Sequence, residues 1–360
     1  MSVPDGQAEQ PGRPSKRAGR HLGVVELAPD QLDRWSQFVR DSPSGSAYSL
    51  SAYLAALCSA GGGRYAILAA LRGQEIVGGV AVYERSSPVG SFVGPRLLLY
   101  YNGLVLREYQ TRYPSERTAR HTETTTALAE ALEKKGYGRL ELRCRSTFTD
   151  ARPLLERGWR VSPSYTYTVP LTDLTAQWDR VEQNLRRLID RGRELGLTIT
   201  VNEDFESFFR LHHATSVRKG APLYLSADAF RRYYDELRAH DLCRLYHARL
   251  PDGRVAASQL VLTGHRVTHT VSAAAEAELQ QTGANAFLRW SAFEDLASLG
   301  HTANDLTDAS LGPVAHFKGQ FGGELETNLV ASRPMSVAFR LQLGAYHGHR
   351  RVRHRSGDGG

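Results

Sequence analysis

The order of the predicted elements is the feature that most constrains the fold, because the same succession occurs twice along the chain. Each half reads as a strand, a pair of helices, a hairpin of strands, a long helix and a further strand. The first succession begins at Gly23 and the second starts after Thr172-Asp173, so the boundary lies near residues 165–175. This order predicts an α+β protein with an internal structural repeat, in which each half is a mixed, mainly antiparallel sheet flanked by helices.

Four segments have a local pattern that predicts a particular conformation. Residues 96–106 read as a strand, and residues 174–195 as one amphipathic helix. Residues 274–282 read as a polar loop. Residues 317–323 contain two phenylalanines, three glycines and Lys318. Because glycine weakens both helices and strands, we expect a glycine-rich hairpin here. This hairpin either has a functional backbone shape that presents Lys318 or leaves Lys318 in solvent.

The length of 360 residues exceeds the usual size of one core and agrees with two domains, expected at residues 23–170 and 171–345. Residues 1–22 and 346–360 are basic, rich in Gly, Pro, Ser and Arg, and poor in apolar residues. They cannot bury enough surface to offset the entropy of ordering, so we expect disordered tails. They serve either as electrostatic arms for nucleic acid or membrane, or only as solubilising segments.

The cysteines and histidines give no sign of a metal site. Cys58, Cys144 and Cys243 are far apart, odd in number and lack CxxC spacing, which argues against a disulfide framework or a zinc site. His212 and His213 are adjacent and would face different sides of a helix, which favours structural or solvated roles. The sequence has neither a signal-like apolar segment nor a run of about 18 apolar residues. We therefore expect a cytoplasmic monomer without a transmembrane segment and with at most a transient contact with a membrane surface.

Several short motifs of the second half carry a resemblance to a known family. They are Asn184 to Gly192, Thr215 to Gly220, Asn285 to Trp290, Asn304-Asp305-Leu306, and Phe317-Lys318 with the nearby Phe321-Gly322-Gly323-Glu324. In this order and spacing they resemble the Fem family of aminoacyltransferases, which are built from tandem GNAT-type acyltransferase domains. The first half resembles that family mainly in its layout.

The resemblance implies an enzyme that moves an amino acid from aminoacyl-tRNA to an amine, most often on a peptidoglycan precursor, with no metal or cofactor. It places oxyanion stabilisation on Lys318 and a substrate contact on Phe317. Arg218 matches the family position that grips the acceptor's diphosphate; a solvated loop charge is an equal alternative. Tyr224, in the loop after Arg218, and Asp305, at the end of a strand, are further expected substrate contacts, although Asp305 has a turn or cap role as its alternative.

The first half departs from the family in the loop that binds the acceptor. The expected aspartate is replaced by Arg107 or shifted to Glu108. Tyr101 and Asn102 begin the same loop and are expected to contact substrate; Tyr100 and Tyr101 either line a cleft or belong to the core. The acceptor is therefore left open between a muropeptide precursor and a small natural-product amine or hydroxyl.

The predicted helix over residues 174–195 carries several arginines, among them Arg186, Arg187 and Arg191. They either contact phosphates of the tRNA or form the polar face of an amphipathic helix. The segment from Gln280 to Gly283 resembles the loop by which GNAT enzymes bind a CoA pyrophosphate, but Asn285 stands where a small residue is expected. An acyl-CoA-dependent N-acyltransferase acting on a sugar or small amine is therefore the main alternative. A third hypothesis is a non-catalytic module that binds tRNA or a sugar nucleotide.

Overall fold

Within the described residues, thirteen strands form one sheet that runs through both halves of the chain. The computed structural model describes residues 21–96, 98–220, 223, 225–337 and 339. The strands are β1 (Leu22–Glu26), β2 (Arg64–Arg72), β3 (Glu75–Ser87), β4 (Gly90–Val93), β5 (Leu104–Leu106), β6 (Arg139–Cys144), β7 (Arg160–Pro170), β8 (Thr198–Val201), β9 (Cys243–Arg249), β10 (Val255–Leu262), β11 (Val267–Ala275), β12 (Ala303–Asp305) and β13 (Glu324–Pro334). The α-helices are α1 (Leu32–Asp41), α2 (Ser51–Gly61), α3 (Pro114–Lys134), α4 (Arg152–Glu156), α5 (Leu174–Arg180), α6 (Gln183–Glu194), α7 (Phe205–Arg218), α8 (Ala227–Ala239), α9 (Ala284–Ser298) and α10 (Pro313–Gly319), and short 3₁₀ helices lie at Pro29–Gln31, Ala47–Ser49 and Ala277–Thr282.

The strand order joins the two halves through the last strand of the sequence. The order is β1-β2-β3-β4-β6-β13-β7-β12-β11-β10-β9-β8, and β5 pairs with β3 beside this path. β13 lies between β6 and β7 and is antiparallel to both, and β7 pairs in turn with β12. The α+β fold class predicted from the sequence is confirmed. The division into domains near residue 170 stays a prediction.

The helices pack on the sheet, and the buried apolar side chains between them form separate clusters. Leu128 of α3 is buried among the strands of the first half, and Phe293 of α9 among those of the second. A further cluster contains residues of both halves, because α2 packs against α8. There the hydroxyls of Tyr53 and Tyr233 lie 3.0 Å apart. The halves are thus held together by a shared core as well as by the sheet.

The prediction of one helix over residues 174–195 is wrong. α5 and α6 are separated by Val181 and Glu182, whose backbone is extended, with ψ of 131° and 140°. The N–H of Glu182 donates to the carbonyl of Gln320, at 2.9 Å, instead of to a helical carbonyl. The apolar period continues across this break, so a tertiary contact decides where the helix is interrupted.

Two other segments differ from the sequence prediction. The strand expected over residues 96–106 is reduced to β5, while β3 extends further and forms a hairpin with β4. The polar loop expected over residues 274–282 contains the end of β11 and a 3₁₀ helix.

The hairpin predicted around Lys318 is also wrong, because Lys318 lies in α10. Pro313 occupies the first turn of this helix, where its missing N–H costs nothing. Gly322 has a φ of +73°, a value that glycine adopts readily, and lies between α10 and β13. Gly319 is the last residue of the helix, and Gly322 and Gly323 follow it and redirect the chain.

The predicted tails fall largely outside the described residues. Leu22, assigned to the N-terminal tail, begins β1. Residues 1–20 and 340–360 lie outside the description. Among the helices that are described, none is both long and apolar enough to cross a membrane.

Candidate active site

A cleft opens where β11 and β12 separate. The two strands pair in parallel only from Val267–Ala303 to His269–Asp305. β11 continues beyond this point, whereas the N–H of Leu306 bonds to the carbonyl of Tyr167 on β7, at 2.8 Å. The space between them belongs to a cleft of about 600 Å³. Its lining residues are Tyr48, Pro95, Arg96, Leu98, Tyr100, Glu141, Arg143, His212, Thr215, Ser216, Lys219, Val271, Ser272, Ala273, Thr307, Asp308 and Lys318.

Lys318 contributes a buried cation to this cleft. Its side chain is 8% exposed. The Nζ donates hydrogen bonds to the carbonyls of Thr307 and Asp308, the latter at 2.7 Å. Burial, aided by the nearby charge of Arg289, lowers the pKa of the Lys318 amine to about 8. The lysine is therefore mainly charged at neutral pH, and an ammonium with three donors retains one for a ligand.

The two carbonyls that hold Lys318 belong to a turn of unusual backbone shape. Thr307 and Asp308 have φ of +49° and +39°, which residues other than glycine rarely adopt. The N–H of Thr307 donates to the carboxylate of Asp305 at 2.7 Å, and its hydroxyl donates to the carbonyl of Thr270 at 2.9 Å. Strained backbone of this kind persists only where its surroundings fix it, and it is common at functional sites. The turn thus aims two carbonyls at one ammonium.

Asp305 supports this turn from beneath the cleft. Its carboxylate accepts hydrogen bonds from the hydroxyls of Tyr101, at 2.7 Å, and Thr166. Burial opposes ionisation, but the adjacent His269 ring, 3.3 Å away, and the two hydroxyl donors outweigh it, so the pKa of Asp305 falls to about 2. Asn328 of β13 donates to the Tyr101 hydroxyl at 3.1 Å. The cluster joins both halves of the chain.

The wall contributed by the first half is basic. The guanidinium of Arg143 lies over the ring of Tyr100, 4.4 Å from its centroid, and has no hydrogen-bonded or ionic partner among the described residues. Arg96 donates to the hydroxyl of Tyr83 at 2.7 Å. Glu141, which also lines the cleft, is ion-paired with Arg139. Together with Lys219 and Lys318, these arginines favour an anionic ligand.

His212 lines the cleft from α7, with its Nδ1 3.0 Å from the Ser272 hydroxyl. Burial, together with the charge of the adjacent His213, lowers the pKa of His212 to about 4, so the ring is neutral at pH 7. The sequence favoured a structural or solvated role for this histidine. Its place in the cleft was missed because the helical pattern alone does not reveal which face of α7 meets β11.

Lys318 lines the cleft, but other residues predicted from the second half do not. Phe317 does not line the cleft; its ring packs against Phe321, with centroids 5.4 Å apart. Arg218 is exposed at the end of α7, whereas the next residue, Lys219, lines the cleft. Tyr224 lies outside the described residues.

Of the residues considered in the first-half loop, Tyr100 lines the cleft, whereas Tyr101, Asn102 and Glu108 do not. Tyr101 is buried in the Asp305 cluster. Asn102 is buried as well, where its side chain donates to the carbonyl of Glu141 and accepts from the N–H of Arg143, both at 2.8 Å. Glu108 lies in a different depression, 3.7 Å from Arg117. Asn102 therefore positions the strand that carries Arg143.

The predicted phosphate-binding residues lie on the far elements of the second half. Arg186, Arg187 and Arg191 belong to α6, which packs against α9, and none of them lines the cleft. Gln280 lies in the 3₁₀ helix before α9, and Gly283 precedes α9 with a φ of +83°. A Cβ at Gly283 would lie 2.0 Å from the carbonyl oxygen of Leu188 on α6.

Comparison with known proteins agrees with this architecture. The sequence model of the acetyltransferase (GNAT) domain family matches residues 179–319. No curated protein matches the sequence. Among solved structures, the crystal structure of FemX has a TM-score of 0.68 at 12% identity and covers 86% of this chain and 96% of its own.

Two further structures share the fold. The structure of L-PGS from Bacillus licheniformis has a TM-score of 0.56 at 14% identity, with 88% of this chain and 96% of that chain covered. A tandem GNAT protein from the clavulanic acid biosynthesis pathway has a TM-score of 0.51 at 12% identity, with 88% and 99% covered. The resemblance to Fem-type, tandem GNAT proteins predicted from the sequence is thus confirmed at the level of the fold, and the findings support an acyltransferase of GNAT fold.

Proposed function

We propose that this protein transfers an amino acid from aminoacyl-tRNA to an amine or hydroxyl of an acceptor, with Lys318 as the group that stabilises the oxyanion. The observation that carries the proposal is the buried ammonium of Lys318, which lines the cleft and is held by two carbonyls of a strained turn. The family-model match and the FemX-like fold support the acyltransferase class.

In the proposed reaction, the neutral amine of the acceptor attacks the carbonyl carbon of the tRNA ester. A C–N bond forms, the carbonyl oxygen becomes an oxyanion, and the remaining N–H of Lys318 donates to it. Collapse breaks the ester C–O bond; the ribose hydroxyl leaves with a proton, and the nitrogen loses one. Because the ester is already activated, the protein mainly aligns the amine and favours the oxyanion over the neutral carbonyl.

The basic wall of the cleft supports an anionic donor. Arg143, Arg96 and Lys219 lie around the cleft whose lining includes Lys318, where they would attract the phosphates at the 3′ end of a tRNA. Arg186, Arg187 and Arg191 stay proposed contacts for more distant tRNA phosphates, outside the cleft. Arg218, beside Lys219 at the end of α7, stays a proposed contact with the acceptor, which we propose to be a muropeptide precursor or a small natural-product amine.

An acyl-CoA-dependent transfer is the second candidate, and the match of residues 179–319 to the acetyltransferase (GNAT) domain favours it. In that case the turn at Gly283, before α9, would approach the cofactor's pyrophosphate. The carbonyl of Leu188 packs against this glycine, which places α6 beside the same turn and leaves less room for a cofactor.

The test is incubation of the purified protein with a mixture of charged tRNAs and candidate acceptors, including a muropeptide precursor, with acetyl-CoA in a parallel arm. We expect product that is abolished by ribonuclease and by K318A, while K318A keeps its fold by circular dichroism. L57A, which removes core volume at a position outside the cleft, serves as a control for simple destabilisation. Product that forms from acetyl-CoA and is indifferent to ribonuclease overturns the proposal, and full turnover by K318A overturns the role of the lysine.

A further inference from the structure

Arg289 of α9 is a buried cation for which the proposed reaction has no use. Its side chain is 6% exposed. Its Nε and Nη1 atoms are buried without a hydrogen-bond partner, and within the described residues no carboxylate lies within ion-pairing distance. Its guanidinium lies over the ring of Phe317, 5.8 Å from the centroid. A buried charge without a partner is costly, so its retention calls for a functional explanation.

Phe317, over which Arg289 lies, is followed in the sequence by Lys318, and the positive charge of Arg289 contributes to the lowered pKa of Lys318. Burial lowers the pKa of Arg289 only to about 10, so the guanidinium stays charged at neutral pH. Both cations are buried, so water screens the repulsion between them only weakly. An oxyanion beside Lys318 would relieve this repulsion, whereas the neutral ester carbonyl would not.

We infer that Arg289 is a positioning residue that acts through Lys318: its uncompensated charge makes the site around the lysine ammonium favour a developing negative charge. The inference rests on the proposed function for its catalytic consequence. It requires no contact between Arg289 and the substrate. Interactions that strengthen only as charge develops in the transition state are those that raise turnover.

The charges that act most strongly on the Lys318 ammonium belong to four residues. Arg289 on α9 and Lys219 just after α7 disfavour its protonation, and Asp308 and Asp305, around the strained turn, favour it. Burial is the largest influence, and Arg289 is the largest among the charges. Removing the charge of Arg289 should therefore raise the pKa of Lys318, while burial keeps that pKa below its ordinary value.

The first experiment measures the protonation of Lys318 directly. The native protein is labelled with a small amine-reactive reagent over a series of pH values, and modification of Lys318 is monitored by peptide mass spectrometry. We expect a midpoint near pH 8 in the native protein. R289M should raise this midpoint by roughly 0.5 to 1 pH unit. R289K, which keeps a positive charge, and R266M, which removes an exposed arginine, should leave it close to the native value.

The second experiment measures transfer against pH with the same variants. R289M should lower turnover at pH 7 by roughly tenfold and move the alkaline loss of activity to higher pH, with KM little changed. A merely structural role would lower activity without moving the alkaline limb. R289Q replaces R289M if the latter does not fold.

The two experiments separate the failure of this inference from that of the proposed function. An R289M or R289Q midpoint equal to the native one, or a native midpoint near the ordinary lysine value, overturns the action of Arg289 on Lys318. The labelling needs no tRNA, so absence of aminoacyl transfer with a shifted midpoint would overturn the proposed function and leave the electrostatic coupling intact. A shifted midpoint with unchanged turnover would overturn the catalytic role of Arg289.

Discussion

Replacing Lys318 by methionine should stabilise the protein at neutral pH, although it removes the proposed oxyanion donor. Methionine has a similar length and no charge. The native lysine has a pKa of about 8 in the folded protein and an ordinary value of 10.5. Below pH 8 the folded protein keeps Lys318 protonated, although burial and the charge of Arg289 disfavour the charged amine. This lowers the free energy of unfolding, and K318M removes the loss.

The free-energy cost of the charged lysine follows from the difference between its folded and ordinary pKa values. At pH 7 the ionisation penalty is about 3 kcal/mol, and at pH 9.5 it falls to about 1.5 kcal/mol, because the folded protein has by then released the proton. Because folding lowers the pKa of this amine, the unfolded chain binds more protons than the folded protein between pH 8 and 10.5. The free energy of unfolding of the native protein therefore rises with pH in this range. Methionine also leaves the carbonyls of Thr307 and Asp308 without their donor, at a cost of about 1 kcal/mol. We therefore expect K318M to gain about 2 kcal/mol at pH 7 and close to nothing at pH 9.5.

Urea unfolding of both proteins at the two pH values provides the measurement. Buried tyrosines and cysteines also titrate at high pH, but they are common to both proteins and cancel in the difference. K219M is the control, because Lys219 lines the same cleft but is exposed; its free energy of unfolding should change by less than about 0.5 kcal/mol. A K318M protein that is no more stable than the native one at pH 7, or equally stabilised at both pH values, would refute a desolvated ammonium at this position.

The remaining predictions concern the framework of the site. D305N should lower the free energy of unfolding by about 3 kcal/mol at pH 7, because it leaves the donors of Tyr101 and Thr307 poorly paired. The folded pKa of Asp305 is below its ordinary value, so the stability that it contributes is lost as pH falls from 4 toward 2, and the difference between D305N and native protein should shrink in that range. G283A should cost more than about 2 kcal/mol, because φ is +83° and the added Cβ would lie 2.0 Å from the Leu188 carbonyl, whereas G300A, with a similar φ and open space, should cost about 1 kcal/mol. Chemical denaturation measures each, and equal losses for the two glycine variants would contradict the packing of α6 against the turn before α9.

The elements of the fold were largely predictable, whereas their long-range arrangement was not. Hydrophobic periodicity indicates β6, β7 and the helices α3 and α9, because each has an apolar face that local sequence records. It cannot indicate that β13 enters the sheet between β6 and β7, since strand partners are chosen by contacts far apart in sequence. That insertion brings Asn328 to Tyr101, whose hydroxyl donates to Asp305, and so determines where the buried cluster lies.

The candidate site was predictable where one residue carries the signal. Lys318 stands out because a short motif surrounds it, and the structure places it in the cleft. Arg143 was missed: it alternates with buried Leu142 and Cys144 on β6, which indicates a polar face but not that this face borders a cleft. The turn at Thr307 and Asp308 was missed because sequence preferences place glycine at positive φ, and a strained conformation of other residues depends on tertiary contacts.

Three costly features meet around one lysine: an ammonium with a lowered pKa, a guanidinium without a counter-ion, and two non-glycine residues at positive φ. Stability alone would favour an apolar residue at both cationic positions and glycine in the turn. The features are also mutually dependent, because the carbonyls presented by the strained turn are the partners that make the buried ammonium tolerable. A negative charge delivered by a ligand would pair with the remaining donor of Lys318 and offset its repulsion by Arg289. In the proposed reaction the arrangement would therefore be least favourable when the cleft is empty and most favourable at the oxyanion, which is the order of stabilities that a catalyst of acyl transfer requires.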